Sequence, residues 1–249
     1  LLIHRFFKPD SPPYAFILDD IRYLLGAKGA QVDVLSSQPS YKSVDKENSF
    51  PWKTVEDNGS NIFRLPVFQL KSAEVSKFLN FGWFPIVVFW FVLLRRKYDI
   101  VTVSTAPPVV LAFMIAFASK LRGFKLVYHC MDLHPEIGRL SGEFKNNALY
   151  KLFFWMEGFT CRTASKIIVL STDMKASLMR RDIGLASKVE IINNYDLSFK
   201  ETPARLAFYN IDRKKRVIFA GNIGRFQNLH SLVLALKNNP WLDNFELIF

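Results

Sequence analysis

Residues 100–130 read IVTVSTAPPVVLAFMIAFASKLRGFKLVYHC, and this stretch decides the fold class. Ile100, Val101, Thr102 and Val103 suit a buried strand, Pro107 and Pro108 open a helix that runs to about Leu121, and Lys125–Cys130 suits a second buried strand. Strand, loop, helix and strand in that order form one unit of a parallel sheet covered by helices. Working outward, the same unit recurs. Towards the N-terminus lie a strand over residues 1–7, a Pro-rich loop over 9–13, and a helix over about 14–28. That helix places Phe16, Ile17, Ile21, Leu24 and Leu25 on one face and is stopped by Gly29. A strand over 31–36, a polar loop through Pro51, a short strand over 62–65 and an apolar segment over 81–94 follow. Towards the C-terminus come a long helix over 146–164, a strand over 166–170, a short helix over 173–181 and a strand over 188–192. The expected class is α/β, a Rossmann-like doubly wound parallel sheet.

Residues 195–215 are polar and carry Pro203. They separate an N-terminal domain, 1–195, from the start of a second Rossmann-like domain, 216–249, with the linker at 196–215. In the second domain a strand over 217–220, a glycine-containing turn over 221–227 and a helix over 229–237 open another unit of the same kind. The chain begins on Leu1, and its last residues, Phe245 to Phe249, read as a strand entering a sheet. A longer parent chain is therefore expected.

Lys and Arg number 33 against 22 Asp and Glu, a formal net charge of +11 that favours an anionic partner. The apolar share of 50% and the position of the basic residues beside hydrophobic runs argue for a membrane surface and against nucleic acid. Two cysteines, Cys130 and Cys161, show no metal-type spacing, and the start lacks the order of a signal peptide, so a cytoplasmic setting is expected.

Four segments carry chemistry. Residues 78–94, FLNFGWFPIVVFWFVLL, are followed at once by Arg95, Arg96 and Lys97. The run falls just short of a comfortable bilayer span of about 20 residues, and Trp83, Trp90 and the basic cluster suit an interfacial helix. A helix buried against the sheet is the alternative. Residues 127–136 put Asp132 and Glu136, with His129 and His134, just beyond the carboxyl end of a strand, where open α/β sheets bind their ligands. A carboxylate there can take a proton from, or position, a substrate hydroxyl, unless Asp132 merely caps the following turn and Glu136 is solvated. Gly221, Asn222, Gly224, Arg225 and Gln227 lie between a strand and a helix, and their glycines, helix N-terminus and guanidinium suit a diphosphate. A tight strand-to-helix turn would explain the same glycines, and the dinucleotide spacing is absent. Asn194 follows a strand and precedes the linker. No serine nucleophile, P-loop or metal-ligand pattern is evident, and His129 with His134 reads as a structural pair rather than a zinc site.

The order of these segments resembles the family 4 glycosyltransferases, in particular the bacterial branch that builds capsule, O-antigen and exopolysaccharide. Phe7-Lys8-Pro9-Asp10 through Pro13-Tyr14 is similar to the family's opening loop. Tyr98-Asp99-Ile100-Val101 with Ser104-Thr105-Ala106-Pro107-Pro108, and Asp132-Leu133-His134-Pro135-Glu136, resemble two further family stretches, the second an Asp-Leu-Trp-Pro-Glu loop. Glu157, Arg162-Thr163-Ala164, Ile168 to Ser171, Lys188 to Asn194, and Ala220 to Gly224 with Gln227 complete the series. Two positions depart from the pattern. Pro12-Pro13 stand where many relatives carry a glycine pair, and Met131 where many have histidine or arginine.

The resemblance implies a retaining transferase of GT-B fold. Its N-terminal domain would hold a glycan or polyprenyl-diphosphate-linked acceptor, and its second domain a nucleoside-diphosphate sugar, with no metal or other cofactor. Asp132, Glu136 and His134 would line the acceptor side as catalytic residues, and Pro12, Pro13 and Tyr14 would contact substrate. Gly221, Asn222, Gly224, Arg225, Gln227 and Asn194 would face the nucleotide sugar. The enzyme would be peripheral on the inner face of the cell membrane. The family's glycine-rich loop and paired glutamates do not occur within these residues, so this chain by itself is not expected to turn over. A nucleotide-sugar epimerase of the same fold, or a non-catalytic membrane-recruiting partner of a donor-binding subunit, are the alternatives.

Overall fold

The computed structural model of the chain describes residues 1–40, 51–56, 59–95, 98–142, 145–194, 215–221, 227–237 and 245–248. By contact the chain divides into two compact units, Leu1–Leu197 and Ser198–Phe249.

The first unit is built on an eight-stranded sheet. Its strands are β1 (Leu2–Ile3), β2 (Asp33–Ser37), β3 (Lys53–Val55), β4 (Asn61–Leu65), β5 (Ile100–Ser104), β6 (Lys125–Cys130), β7 (Lys166–Val169) and β8 (Val189–Ile191), in the order β3-β4-β2-β1-β5-β6-β7-β8. Every pairing is parallel except β3 with β4. The chain starts in the middle, passes through β2 to the edge strand β3, comes back to β4 between them, returns to β5 beside β1, and winds outward the other way to β8. β1 and β5 therefore flank a switch point.

Strand side chains alternate between the two faces. Leu2, Val34 and Ile62 lie with Phe7, Tyr14, Ile17 and Leu18 in one core cluster, under helix α1 (Pro13–Ala27). Ile3, Leu35, Phe63, Val101, Val103, Leu126, Tyr128, Ile167 and Val169 face the larger core. That core is closed by α2 (Ala73–Leu94), α3 (Val110–Arg122), α5 (Asn147–Thr163) and α6 (Thr172–Arg181). The short α4 (Glu136–Leu140) follows β6. Both faces of the central strands are covered, which is why those strands read as continuous apolar runs.

Helix ends follow local chemistry. Ser72 Oγ accepts from Val75 N, Asn146 Oδ1 from Ala148 N and Leu149 N, and Ser171 Oγ from Met174 N, each satisfying first-turn N–H groups. Pro13 sits in the first turn of α1, where its missing N–H costs nothing, and Gly29 with φ +85° follows its C-terminus.

Several boundaries differ from expectation. β1 stops at Ile3, because residues 4–7 leave the sheet to form the loop at its carboxyl edge. The α1 core face is Tyr14, Ile17, Leu18 and Ile21, while Phe16, Leu24 and Leu25 are exposed. β3 was not expected: it lies between the loop through Pro51 and the strand over 62–65, and an edge strand with exposed side chains carries little apolar signal. α2 begins at Ala73 and contains Pro85, and α3 begins after the two prolines rather than on them. In the second unit β9 (Lys215–Ile218) and β10 (Phe245–Ile248) pair in parallel, with α7 (Leu229–Lys237) between them in sequence. Linker residues 196–214 lie outside the described residues.

α2 offers a direct test of this arrangement, because Phe84 is fully buried in the core and Phe78 is 78% exposed. Phe84→Ala is expected to lower unfolding free energy by about 3–5 kcal/mol and Phe78→Ala by less than about 0.5 kcal/mol in urea titrations. Equal effects would contradict the packing of this helix.

Candidate functional site

The carboxyl ends of β1, β5 and β6 bring together side chains far apart in sequence. His4, just beyond β1, shares a hydrogen bond through Nδ1 with Ser104 Oγ at the end of β5. Tyr14, in the first turn of α1, shares one of 2.7 Å between its hydroxyl and His129 Nδ1 on β6. The Tyr14 ring meets His4 edge-on at 4.7 Å and His129 at 5.1 Å. The result is an aromatic cluster closed over the switch point.

Burial decides the charge of this cluster. Desolvation lowers the pKa of His4 to about 3, with a smaller contribution from His129, and that of His129 to about 4. Both imidazoles are neutral near pH 7. His129 Nε2 is sealed from solvent without a hydrogen-bond partner.

The next layer is the loop between β6 and α4. Met131 packs against the cluster that contains Tyr14. Asp132 is exposed, its carboxylate makes no hydrogen bond or ion pair among the described residues, and it does not cap α4, whose N-cap is Pro135. Glu136 is not simply solvated. Its Oε2 accepts from Arg181 Nη2 at 2.5 Å, and the same nitrogen lies 3.4 Å from the His134 carbonyl. Arg181 also lies 5.4 Å over the Phe154 ring, so α6 and α5 grip the loop through one guanidinium. A groove of about 630 Å³ opens beside it, lined among others by Met131, Asp132, Glu136, Met174, Arg180 and Arg181.

Below the loop, Tyr128 Oη donates to Glu157 Oε1 at 2.7 Å inside the core. Burial raises the Glu157 carboxyl to about 7, against the opposing influence of the Tyr128 hydrogen bond and Arg181. Cys130 and Cys161 are buried free thiols in the same core.

Of the residues selected from the sequence, the structure brings Tyr14 to His129 and puts Asp132 and Glu136 on one groove. Pro12 is the N-cap of α1 and Pro13 its first residue. His134 is partly buried, and Asn194 is exposed just after β8. Gly221 and Gln227 are exposed in the second unit, while Asn222, Gly224 and Arg225 lie outside the described residues. Among the described residues no three His, Cys, Asp or Glu side chains converge as a metal-ligand set. His4, Ser104 and Arg181 were not singled out from the sequence, since the first two meet only through a pairing a hundred residues apart.

Residues 18–194, well over half of the chain, match the glycosyl transferase 4-like domain. The chain belongs to that family. Among curated proteins it is similar to WcaI of Escherichia coli (strain K12), provisionally named a colanic acid biosynthesis glycosyl transferase, at 22% identity over 235 residues. The match covers 87% of this chain and 57% of WcaI, so the family 4-like chain spans little more than half the length of that relative. Among solved structures it is similar to Anabaena Alr3699/HepE in complex with UDP and glucose, with TM-score 0.56 and 15% identity over 99% of this chain and 59% of that one. Arabidopsis thaliana UGT89C1 complexed with UDP-L-rhamnose aligns with TM-score 0.55 and 12% identity, over 100% and 67% of the two chains. The fold of the family 4-like chain is thus α/β, of the GT-B class.

Stability should report the buried neutral groups. His4 and His129 have depressed pKa values, so their contribution is present above about pH 6.5 and is lost as pH falls towards 4 and 3. Glu157 has a raised pKa and works the other way, its contribution being complete below about 4.5 and lost as pH rises through about 7. Between pH 6.5 and 4.5 two histidines oppose one carboxyl, and unfolding free energy should fall with acidification. In His129→Gln that slope should drop by about 1.4 kcal/mol per pH unit, read from urea titrations. An unchanged slope would mean that His129 is not held neutral.

Proposed function

We propose that this chain is the acceptor-side domain, with the first elements of the donor-side domain, of a retaining glycosyltransferase. It would move a hexosyl or N-acetylhexosaminyl group from a nucleoside-diphosphate sugar to a lipid-linked glycan acceptor in surface polysaccharide synthesis. Family membership, the name of WcaI, and the UDP and UDP-sugar held by HepE and UGT89C1 support the class of reaction. The single observation that carries the site is Asp132, an exposed carboxylate without a partner among the described residues, on the rim of a groove beyond the end of β6.

In this reading the bond from the anomeric carbon to the diphosphate breaks, and the acceptor oxygen bonds to that carbon on the same face of the sugar. Asp132 orients the acceptor hydroxyl and takes its proton as the anomeric carbon passes through an oxocarbenium-like state. Glu136, fixed by Arg181, and His134 hold the loop and line the acceptor side. Pro12, Pro13 and Tyr14 bound the substrate from α1. Charge on the departing diphosphate would fall to Arg225 and to N–H groups of Gly221, Asn222 and Gly224, with Gln227 and Asn194 on the nucleotide sugar, and no metal is required.

A membrane setting is part of the proposal. α2 is 22 residues long, long and apolar enough to cross a bilayer by length and composition; its most apolar 18-residue window has mean hydropathy 1.7, and a third of that window is buried. Phe84, Val88, Phe91 and Val92 face the core, while Phe78, Trp83, Ile86, Trp90 and Leu94 are exposed. Exposed Phe117 and Leu121 on α3 and Leu152 and Trp155 on α5 extend the apolar surface. Arg95 caps the end of α2, and Arg122 donates to its carbonyl at 2.9 Å, so cations rim the patch. An aromatic, cation-rimmed face of this kind suits the inner leaflet, with α2 lying along it.

Two measurements test the proposal. In the parent protein that contains this chain, given a panel of nucleotide sugars and a polyprenyl-diphosphate-linked acceptor, Asp132→Asn is expected to lower kcat by about 10²- to 10⁴-fold with little change in donor KM. Near-normal turnover in Asp132→Asn and in Arg225→Ala would remove the assignment. In flotation with anionic vesicles, the chain should rise with the lipid, and the Phe78→Glu, Trp90→Glu double variant, at two exposed positions of α2, should stay behind with its thermal stability little changed. A chain that ignores anionic vesicles would refute the membrane setting.

A further inference from the structure

We infer that Arg5 anchors a phosphoryl-binding site at the carboxyl edge of the sheet, and that its ligand is the phosphate or diphosphate group of the acceptor. The identity of that ligand rests on the acceptor class proposed above, while the site itself rests on the following geometry.

The main chain at Arg5 is held firmly. Its carbonyl accepts from Ser37 N at 3.0 Å, Ser36 Oγ at 2.9 Å and Ser37 Oγ at 2.8 Å, all from the end of β2. The side chain is not held. Its guanidinium is half-buried over the Phe6 ring at 5.2 Å, and it makes no hydrogen bond or ion pair among the described residues. Nε is sealed from water without a partner. Other buried or partly buried arginines of this unit differ: Arg22 pairs with Asp19, Arg181 with Glu136, and Arg64 donates to the Lys8 carbonyl.

Asp10 is the nearby counter-charge. It is fully buried and favours the charged forms of both Arg5 and Arg64, but its Oδ1 is occupied by Ser40 N at 2.9 Å. Asp10 acts on Arg5 and Arg64 together, and Glu56 favours the charged form of Arg64 as well. Burial holds the Arg5 pKa below its ordinary value despite Asp10, so this carboxylate does not replace the water that Arg5 has lost. Ser40 Oγ is a second sealed polar atom without a partner in the same place.

An unpaired, partly desolvated guanidinium is costly and is kept where a ligand completes it. The planar fork matches phosphate oxygens, and its rigid root means little ordering is needed on binding. The position is also apt, since Arg5 adjoins His4 of the aromatic cluster and lies on the loop that leads to Pro12, Pro13 and Tyr14.

The test is direct binding to the 249-residue chain by calorimetry, with inorganic pyrophosphate, geranyl diphosphate and UDP as probes. Pyrophosphate and geranyl diphosphate are expected to bind, and Arg5→Gln to weaken both by about tenfold or more. Lys28→Gln, at an exposed lysine after α1, should leave both unchanged. Equal affinity in wild type and Arg5→Gln, or equal weakening by Lys28→Gln, overturns the site. If Arg5→Gln does not fold, Arg5→Lys makes the same comparison: loss of the fork should weaken binding, and wild-type affinity overturns the inference. UDP binding as tight as geranyl diphosphate and equally dependent on Arg5 would reassign the site to the donor. No sugar transfer enters the readout, so the site and the proposed reaction can fail separately.

Discussion

Two residues join the halves of the sheet. Leu2 pairs with Val34 on one side and Thr102 on the other, and Ile3 with Leu35 and Val103. Because β1 ends there, the chain leaves the sheet at once, while the neighbouring strands run on to Ser37 and Ser104. Residues 4–12 are thereby laid across the carboxyl edge instead of being buried within it. His4 meets Ser104, the Arg5 carbonyl meets the end of β2, and Asp10 is enclosed. A longer first strand would consume these residues in ladder hydrogen bonds, and the crevice at the switch point would lose its floor.

Desolvation then sorts the titratable groups at that edge. His4 and His129 lose their charge, which leaves Tyr14 bonded to a neutral ring and makes the cluster a hydrogen-bonding surface rather than a cationic one. Glu157 also tends to the neutral form, with Tyr128 donating to it, so no full negative charge sits under the loop at neutral or lower pH. Asp132 stands outside this dry region. The arrangement separates carboxyl groups by environment: one buried, one clamped by Arg181, and one left facing solvent. That division leaves a single solvent-facing carboxylate for the proton transfer proposed above, beside two that hold structure.

The sequence carried much of this fold and less of its edge. The helices α5 and α7 and the strands β5, β6 and β7 were legible to within a few residues, because buried parallel strands and amphipathic helices leave periodic apolar patterns. Asp132 and Glu136 were legible for a related reason, as polar residues directly after such a strand. The length of β1, the strand β3 and the start of α2 were not. Each depends on what a neighbour 30 to 100 residues away covers or leaves open. Arg181 shows the same limit: one of several basic residues at a helix end, it is distinguished only by the loop that folds against it.

α2 adds an argument about surfaces. It is apolar nearly all round, a pattern that in a soluble protein belongs to a fully buried helix. Here only one face is buried, and the helix is tied down on that face. Asn80 donates to the Phe68 carbonyl at 2.8 Å and accepts from its N–H at 2.9 Å, and Trp83 Nε1 donates to the Pro66 carbonyl at 3.1 Å. Withdrawing the helix to span a bilayer would expose Phe84, Val88 and Phe91 of the core and leave the Phe68 amide without its partners. A helix fixed inward and aromatic outward fits the membrane setting proposed above, in which the domain lies down on an apolar layer and carries the sheet edge with it. On that geometry the basic loop around Arg5 and the groove beside Asp132 would be offered to an acceptor whose anchor already lies in the same plane.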